Sequence, residues 1–483
     1  MSTSWTARAS VIGAALALAG CVVGPNYAPP AAPKGADYGP GIADRRLDAD
    51  GAVQQVELGR ATDPKWWRLY GSPALDALVA EGLRDSPNLT AAREALSASR
   101  HQVEAGAGLL WPVANLATNA GPHRGNPAAI GFAGDSYFYQ LFTLDASISY
   151  AVDLFGAQHR AVESLGADAE GHRYAVGSAY LLLTGAIVQA SIAHAGYAAQ
   201  VVTLEDIVKR SEAQRDITGA QVKSGHLAAA AQLDADSALA QARSDLAQAR
   251  QREAAAESLL HTLVGREPGE TLPAPPALDA LMLPPAAPVA LPSALVHARP
   301  DILQAEAALH RASADVGVAT AALYPSISLT GDVGRVSNVL SSLPGPSRRY
   351  WSVGPAIDLP ILTGGSRLAE RRAAQAAYRE AAATYRSTVL SALEQTVDAI
   401  RALDADAAAS NAARAAGDAA DAKAQIATAQ RRAGLISESD AIAAALDADR
   451  ARLALIGARA QRMQDVALLY LACGGGWDPA TAS

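Results

Sequence analysis

The feature that most constrains the fold of this 483-residue chain is a series of motifs that occurs twice. A Trp-Pro pair at Trp111 opens a short segment of alternating polar and apolar residues, and a Tyr-Pro pair at Tyr324 opens another one 213 residues later. Val-Asp-Leu at 152–154 closes the first pair of such segments, and Ile-Asp-Leu at 357–359 closes the second. The layout predicts two strands followed by a long helical hairpin, built twice.

Each predicted hairpin lies within a long stretch without proline, at 128–267 and at 361–478. We place the turns of the two hairpins at Gly225 and Gly434, which lie 209 residues apart. The segment that leads to each turn has 68 residues, which would form a helix of roughly 100 Å at 1.5 Å per residue. That length is typical of an element that crosses the periplasm rather than of a compact domain.

These patterns predict a mainly α fold of the α+β class with an internal two-fold repeat. Nine prolines between 268 and 300 predict a stiff, extended connector between the repeats. The predicted strands are at about 112–120, 137–152, 325–333 and 350–359. The predicted regions are a signal peptide at 1–20, an extended lipid-anchored arm at 21–72, repeat one at 73–267, a Pro-rich linker at 268–299, repeat two at 300–474 and a tail at 475–483.

The N-terminus has the pattern of a bacterial lipoprotein signal. Arg8 precedes an apolar run that is too short to span a bilayer, and the run ends in Leu-Ala-Gly followed by Cys21. Small residues before a cysteine are typical of a cleavage site whose cysteine then carries diacylglycerol and an N-acyl chain. Val22 replaces the aspartate that retains many lipoproteins at the inner membrane, so we expect anchoring at the outer membrane.

Composition and motifs argue against catalysis and against nucleic acid. The net charge is −8 and no basic cluster is present, whereas phosphate backbones are bound by clustered Lys and Arg. The sequence has no Gly-rich phosphate loop, no nucleophile elbow and no paired Cys/His spacing, so we predict no enzyme activity, no metal site and no cofactor beyond the lipid. Cys473 lies in an apolar run, and we expect a buried free thiol there.

Four short strands cannot close a barrel, and an open sheet edge is not tolerated in lipid. Three copies would supply twelve strands, an even number within the range of outer-membrane barrels. The strands therefore require other subunits to close, and three copies fit the expected outer-membrane barrel. Aromatic residues at the strand ends are candidates for a membrane-interface girdle, although ordinary strand core is the alternative: Tyr137, Phe138, Tyr139, Tyr150, Tyr350 and Trp351.

Several motifs together resemble the TolC/OprM-type outer-membrane efflux lipoproteins, also called the NodT family. They are Arg-Pro-Asp-Ile at 299–302, Ala-Leu-Tyr-Pro-Ser-Ile-Ser-Leu-Thr at 322–330, Trp66-Trp67 and Gly-Pro-Asn-Tyr at 24–27. The resemblance implies a trimeric twelve-stranded β-barrel continuous with a periplasmic α-helical barrel. It also implies a passive duct that exports drugs or other small molecules. The partners would be a periplasmic adaptor (a membrane fusion protein) and an inner-membrane transporter of the resistance-nodulation-division (RND) type.

The resemblance also implies a gate and a docking site at the hairpin tips. Relatives of the TolC type have aspartates six and nine residues after the second glycine; this chain has Asp440 at the first position and Ala443 at the second. Asp234 occupies the nine-residue position of the first repeat. Three Asp440 carboxylates near a threefold axis would repel one another and bind cations, whereas a solvated helix charge is the alternative.

Adaptor docking is expected at the tips themselves, with ordinary turn chemistry as the alternative reading. The candidates are Gly225, Gly434, Arg431, Arg432 and Lys223. Two other functions stay open at this point: a type I protein secretion duct on the same fold, and a periplasmic coiled-coil scaffold without a pore.

Overall fold

The computed structural model describes residues 22–31, 38, 45–49, 51–127, 131 and 133–477. Cys21 and the predicted signal peptide lie outside the described residues. The chain divides into two compact units. The strand unit lies within Met1–Pro30, Leu96–His172 and Ala305–Tyr385, and the helical unit lies within Ala31–Ala95, Arg173–Gln304 and Arg386–Ser483.

The described elements comprise seven strands and eight α-helices. The strands are β1 (Arg45–Ala49), β2 (Ala52–Leu58), β3 (Val113–Gly125), β4 (Tyr137–Val152), β5 (Ala286–Val289), β6 (Ser326–Ser337) and β7 (Arg349–Asp358). The helices are α1 (Pro73–Asp85), α2 (Pro87–Gly108), α3 (Ala157–Lys223), α4 (Ala229–Leu263), α5 (Pro292–Ala298), α6 (Pro300–Ala321), α7 (Ser366–Arg432) and α8 (Glu438–Ala472).

The strand unit contains a four-stranded antiparallel sheet in the order β3-β4-β6-β7. Its strands have 13, 16, 12 and 10 residues. Two of the predicted strands are longer than expected: the one predicted at 112–120 runs over Val113–Gly125, and the one predicted at 325–333 runs over Ser326–Ser337. Cross-strand pairing extends both of them into residues whose local Gly, Pro and Arg content favours a loop.

The N-terminal segment of the strand unit packs where the sheet ends and α3 begins. The Val23 amide donates to the Phe155 carbonyl at 3.1 Å, and Arg160 Nη2 donates to Asn26 Oδ1 at 2.7 Å. The Tyr27 ring stacks on His310 of α6 with centroids 4.2 Å apart. These contacts fix residues 23–27 beside the base of the sheet.

The helical unit contains a second, smaller sheet, whose pairing the sequence analysis did not predict. β1 pairs antiparallel with β2, and β2 pairs parallel with β5. The first two strands fall in the arm expected to be extended at 21–72, and β5 and α5 fall in the Pro-rich linker expected to be extended at 268–299. Gln54 helps to join them, since its buried Nε2 donates to the Pro284 carbonyl at 3.0 Å.

Aromatic residues close the core of the helical unit. Trp66 and Tyr70 are fully buried, and the Trp66 ring stacks on Tyr470 of α8 with centroids 5.2 Å apart. The Tyr70 hydroxyl donates to the Met463 carbonyl at 2.7 Å. Cys473 is a buried free thiol, as predicted, and burial raises its pKa to about 11.

Small residues let the long helices of this unit pack closely. One cluster joins α3, α4 and α8 through Leu204, Ile207, Ala242, Ala249 and Leu446. Within the described residues, α3 is the one helix long and apolar enough to cross a membrane. Its most apolar 18-residue window has a mean hydropathy of 1.6 and is 61% buried inside the protein, as expected for a helix of a protein core.

Candidate functional site

The two long helices α3 and α7 end in the same hydrogen-bonding pattern. Gly225 adopts φ +77°, its amide donates to the Val222 carbonyl, and the next amide donates to Gln221. Gly434 adopts φ +72°, with its amide on Arg431 and the next amide on Gln430. This is the Schellman motif, in which a left-handed residue ends the helix and satisfies its last carbonyls. Both glycines therefore define turns between antiparallel-running helix segments.

The two tips differ in how the return helix begins. Ala228, at the start of α4, provides no side-chain cap. Ser437, at the start of α8, accepts a hydrogen bond from the Asp440 amide, and its own amide donates to Asp440 Oδ2 at 3.1 Å. This is a capping box, and Ser-x-x-Asp before a helical stretch is the sequence signal that can reveal it. The second tip thus has a more firmly defined helix start than the first.

Asp440 is exposed, and its hydrogen bonds come from Ser437. The side-chain and backbone bonds from that residue hold the pKa of the Asp440 carboxyl below its usual value. Both bonds end on Oδ2, and no hydrogen bond within the described residues uses Oδ1. Asp234 is exposed on α4, and no hydrogen bond of the described chain joins it to Asp440. One carboxylate oxygen of Asp440 is therefore open to an outside partner.

Basic residues surround the two turns. Arg431 pairs with Glu438 across the second tip at 2.5 Å. Arg432 and Lys223 are exposed in the last turns of α7 and α3, where a cation interacts favourably with the helix dipole. Gln214 of α3 donates to Ser439 Oγ of α8 at 2.5 Å, which ties the second tip to the first long helix.

Two buried charge clusters in the helical unit were not anticipated from the sequence. Asp449 of α8 is buried and accepts from Arg210 Nε of α3 at 2.7 Å. Asp406 of α7 lies beside Asp465 of α8; burial and the hydrogen bond to Asp465 raise the pKa of Asp406 to about 7. The partners are 59 or more residues apart in sequence, so no local spacing could have indicated them.

The pleat of the four-stranded sheet separates a polar face from an apolar face. On β4 the polar face carries Thr143, Asp145 and Ser147, whereas the apolar face carries Phe142, Leu144 and Ile148. The pairings Ile148–Gly331 and Leu329–Pro355 continue the apolar face onto β6 and β7. The apolar side chains on this face are solvent-exposed in the single chain; Trp351, Val353 and Ile357 expose 73%, 68% and 68% of their surface. A sheet of this kind needs an apolar environment on one side.

Three of the aromatic girdle candidates are on the polar face, unlike the other three. Tyr137, Tyr139 and Tyr350 share the polar face because they have the same strand parity as Asp145 or are paired onto it. The Tyr350 hydroxyl donates to Asp145 Oδ1 at 2.7 Å, and the Tyr139 ring stacks on His123 with centroids 5.6 Å apart. Alternation along β4 assigns these residues to a face, whereas closeness to a strand end does not.

The remaining candidates are on the apolar face. Tyr150 lies near the helical end of β4, and Trp351 lies near the loop end of β7, paired with Val333. Phe138 is also there, 76% exposed, beneath the Arg124 guanidinium at 5.6 Å.

An exposed apolar sheet face and two helices of 67 residues are together typical of a membrane-inserted protein of the cell envelope. The comparison with protein families is specific: the outer membrane efflux protein family matches residues 78–266 and 291–475. The chain belongs to this family, which consists of outer-membrane channels and not of enzymes. The resemblance found in the motifs is confirmed, and the chain is an outer-membrane component of an efflux system.

Individual relatives agree over nearly the whole chain. Nodulation protein T of Rhizobium leguminosarum biovar viciae is 28% identical over 479 residues, which cover 96% of this chain and 92% of the relative. Outer membrane protein OprJ of Pseudomonas aeruginosa is 29% identical over 480 residues and covers 96% and 95%. The solved outer-membrane channel OprN has a TM-score of 0.80 at 27% identity and covers 95% of this chain and 100% of its own.

Proposed function

We propose that this protein is the trimeric outer-membrane channel of a tripartite efflux pump, a passive duct for drugs or other small molecules. The observation that carries the proposal is the four-stranded sheet, which has one apolar face, one polar face and two open edges. The apolar face suits lipid and the polar face suits a water-filled lumen.

The open edges supply the argument for three copies. β3 and β7 are the outer strands of the sheet, and each has one side without a strand partner in the described chain. Every backbone group left unpaired in hydrocarbon costs several kcal/mol, so strands of 13 and 10 residues cannot be left open there. Pairing β7 of one copy with β3 of the next preserves the antiparallel order, and three copies close a ring of twelve strands.

The helical unit supports the same assembly. Its helices expose apolar side chains that a compact monomer would bury: Leu182 and Val202 on α3 are 71% and 63% exposed, and Ile426 on α7 is 59% exposed. We assign these faces to contacts between copies in a periplasmic α-helical barrel. The matching lengths of α3 and α7, 67 residues each, suit two equivalent walls per copy.

The N-terminal segment fits a lipid anchor at Cys21. Val22 is the next residue, and its side chain and Cα lie where a Cβ on Gly156 would clash, at 2.7 to 3.0 Å. Gly156 follows the end of β4 by four residues. A lipid on Cys21 would therefore start close to the base of the apolar face, where the inner leaflet of the outer membrane would lie.

The tips are the proposed gate and docking site. Three copies of Asp440, each with Oδ1 free of Ser437, would form a cation-binding ring at the axis, with Asp234 as a second acidic position. Gly225 and Gly434 shape the turns, and the exposed Lys223 and Arg432, with Arg431 paired to Glu438, are the proposed contacts for a periplasmic adaptor. An RND-type transporter in the inner membrane would supply both the energy and the selection of cargo.

Conductance and drug susceptibility test this function together. The purified protein should form ion-conducting channels in planar bilayers, and deletion of the gene should increase sensitivity to small toxic compounds. A protein without conductance would be a scaffold. A deletion strain that keeps its drug tolerance and loses secretion of a protein would establish a type I secretion duct instead.

A further inference from the structure

Three arginines interrupt the apolar face of the sheet, all at its loop end. Arg124 is the penultimate residue of β3, Arg335 is two residues before the end of β6, and Arg349 is the first residue of β7. Arg124 pairs with Phe138 of the apolar face, and Arg335 pairs with Leu144 on one side and Arg349 on the other. The remaining residues of this face on the four strands carry no charge.

None of the three arginines forms an ion pair with a carboxylate of the described residues. Arg335 Nη1 donates to the Pro344 carbonyl at 2.5 Å, and the Arg124 guanidinium lies over the Phe138 ring. Arg335 and Arg349 stand directly opposite each other on neighbouring strands. Like charges in such a pair are destabilising unless an anion lies between them.

Acidic residues of the same strands are on the other face. Asp145 and Asp332 accept from Tyr350 and Ser352 on the polar face and so cannot neutralise the arginines across the sheet. Closing the ring also adds positive charge, because pairing β7 with β3 of the next copy brings Arg349 and the neighbouring Arg124 onto adjacent strands at the same end.

We propose that this arginine cluster (Arg124, Arg335 and Arg349) binds the phosphate groups of anionic lipid in the outer leaflet of the outer membrane. The inference rests on the proposed membrane insertion. A ligand on this face must present an anion beside the guanidinium groups and hydrocarbon beside Leu144, Val333 and Phe138. A phosphorylated lipid satisfies both requirements, whereas free phosphate has no hydrocarbon. Arginine is suited to the anion because its planar fork binds phosphate oxygens in pairs.

The test is a native mass spectrometry titration of the full-length trimer in neutral detergent with bisphosphorylated lipid A. The wild type should retain up to three tightly bound lipids, one for each cluster. Loss of one arginine near a lipid surface weakens binding about fivefold, so Arg335→Gln/Arg349→Gln should raise the apparent Kd roughly 25-fold. The control Arg372→Gln/Arg379→Gln, which changes two exposed arginines of α7 outside the sheet, should bind as the wild type does.

Further arms identify the chemistry. Dephosphorylated lipid A should bind the wild type and the Gln variant equally weakly, and millimolar inorganic phosphate should compete only partly. Arg335→Lys/Arg349→Lys keeps the charge but loses the planar fork, so its affinity should fall between those of the wild type and the double Gln variant. Arg124→Gln provides an independent variant if the double Gln protein does not assemble.

The proposal would be overturned if Arg335→Gln/Arg349→Gln or Arg124→Gln bound the lipid as tightly as the wild type does. It would also be overturned if the wild type bound phosphorylated and dephosphorylated lipid A equally well. Full displacement by inorganic phosphate would assign the cluster to the free ion instead. The same spectra report the number of protein copies, so failure of the proposed trimer is distinguishable from failure to bind lipid.

Discussion

Adjacent residues of β7 offer the sharpest test of which face of the sheet meets lipid. Val353 lies midway along the strand on the apolar face and is 68% exposed in the single chain. Ser352 lies on the polar face, where its Oγ donates to Asp332 Oδ2 at 3.0 Å. A lysine on the lipid face at mid-depth costs about 2–4 kcal/mol, and three copies would multiply that cost to about 6–12 kcal/mol per trimer. Val353→Lys should therefore strongly reduce assembly.

Ser352→Lys is the matched control, since it adds the same charge one residue away. Its ammonium would lie in the polar lumen beside the Asp332 carboxylate, so the trimer should form at nearly the wild-type level. The assay is the amount of trimer in the outer-membrane fraction and its resistance to heating in SDS. Equal loss for both variants, or a greater loss for Ser352→Lys, would refute the assignment of the faces.

Three further predictions concern the helices. Gly434→Ala places a Cβ at φ +72° and should destabilise the protein by about 1–2 kcal/mol in denaturant unfolding. Gly417→Ala lies within a helix, and its added Cβ likewise meets no atom within 4 Å, so it should stabilise the protein by up to about 1 kcal/mol. Asp440→Ala should raise single-channel conductance or weaken cation block. Ser437→Ala removes the same cap, at a cost of about 1 kcal/mol, but keeps the Asp440 carboxylate, so it should leave cation block in place. Equal effects of the two variants would make Asp440 only a capping residue. The raised pKa of Asp406 means that the folded protein holds this proton more tightly than the unfolded chain does, so the stabilising contribution of the proton is lost as the pH rises from about 4 to about 7. Asp406→Asn should therefore flatten the fall of Tm over that pH range. A Tm profile identical to that of the wild type would contradict the raised pKa.

The parts of the fold that follow from local sequence were predictable. Alternation and proline-bounded segments indicated the four strands of the larger sheet, and the two glycines indicated the hairpin turns, because only a residue tolerant of positive φ ends a helix in this way. The start of α1 is also a local signal, since Ser72 followed by Pro73 is a typical helix start and the Leu75 amide donates to Ser72 Oγ.

Contacts between residues far apart in sequence were not predictable from such signals. Proline content in the linker favours extended backbone, and β5 is indeed extended, but its parallel pairing with β2 joins Val56 to Ala287. The carboxyl pair Asp406–Asp465 depends on the packing of α7 against α8 in the same way. Local patterns report backbone preference, whereas pairing depends on the tertiary arrangement.

The tyrosines show an intermediate case. Their positions near strand ends suggested an interface role, but a strand has two faces, and only the parity of each residue decides between them. Tyr137 and Tyr139 share the parity of Thr143 and Asp145, which are polar, so alternation in the sequence assigns both tyrosines to the polar face. A glycine opposite a tyrosine, as in the pairs Gly125–Tyr137 and Gly334–Tyr350, also allows the ring to fold over the neighbouring strand on that face.

The central claim is that one chain supplies a third of a closed tube, and the mass of the assembled particle tests it most directly. Protein released from the outer membrane in mild detergent should contain three copies of the processed chain, measured by light scattering coupled to size-exclusion chromatography with the detergent contribution subtracted. A particle of one or two copies would leave β3 and β7 unpaired in lipid and would contradict the account.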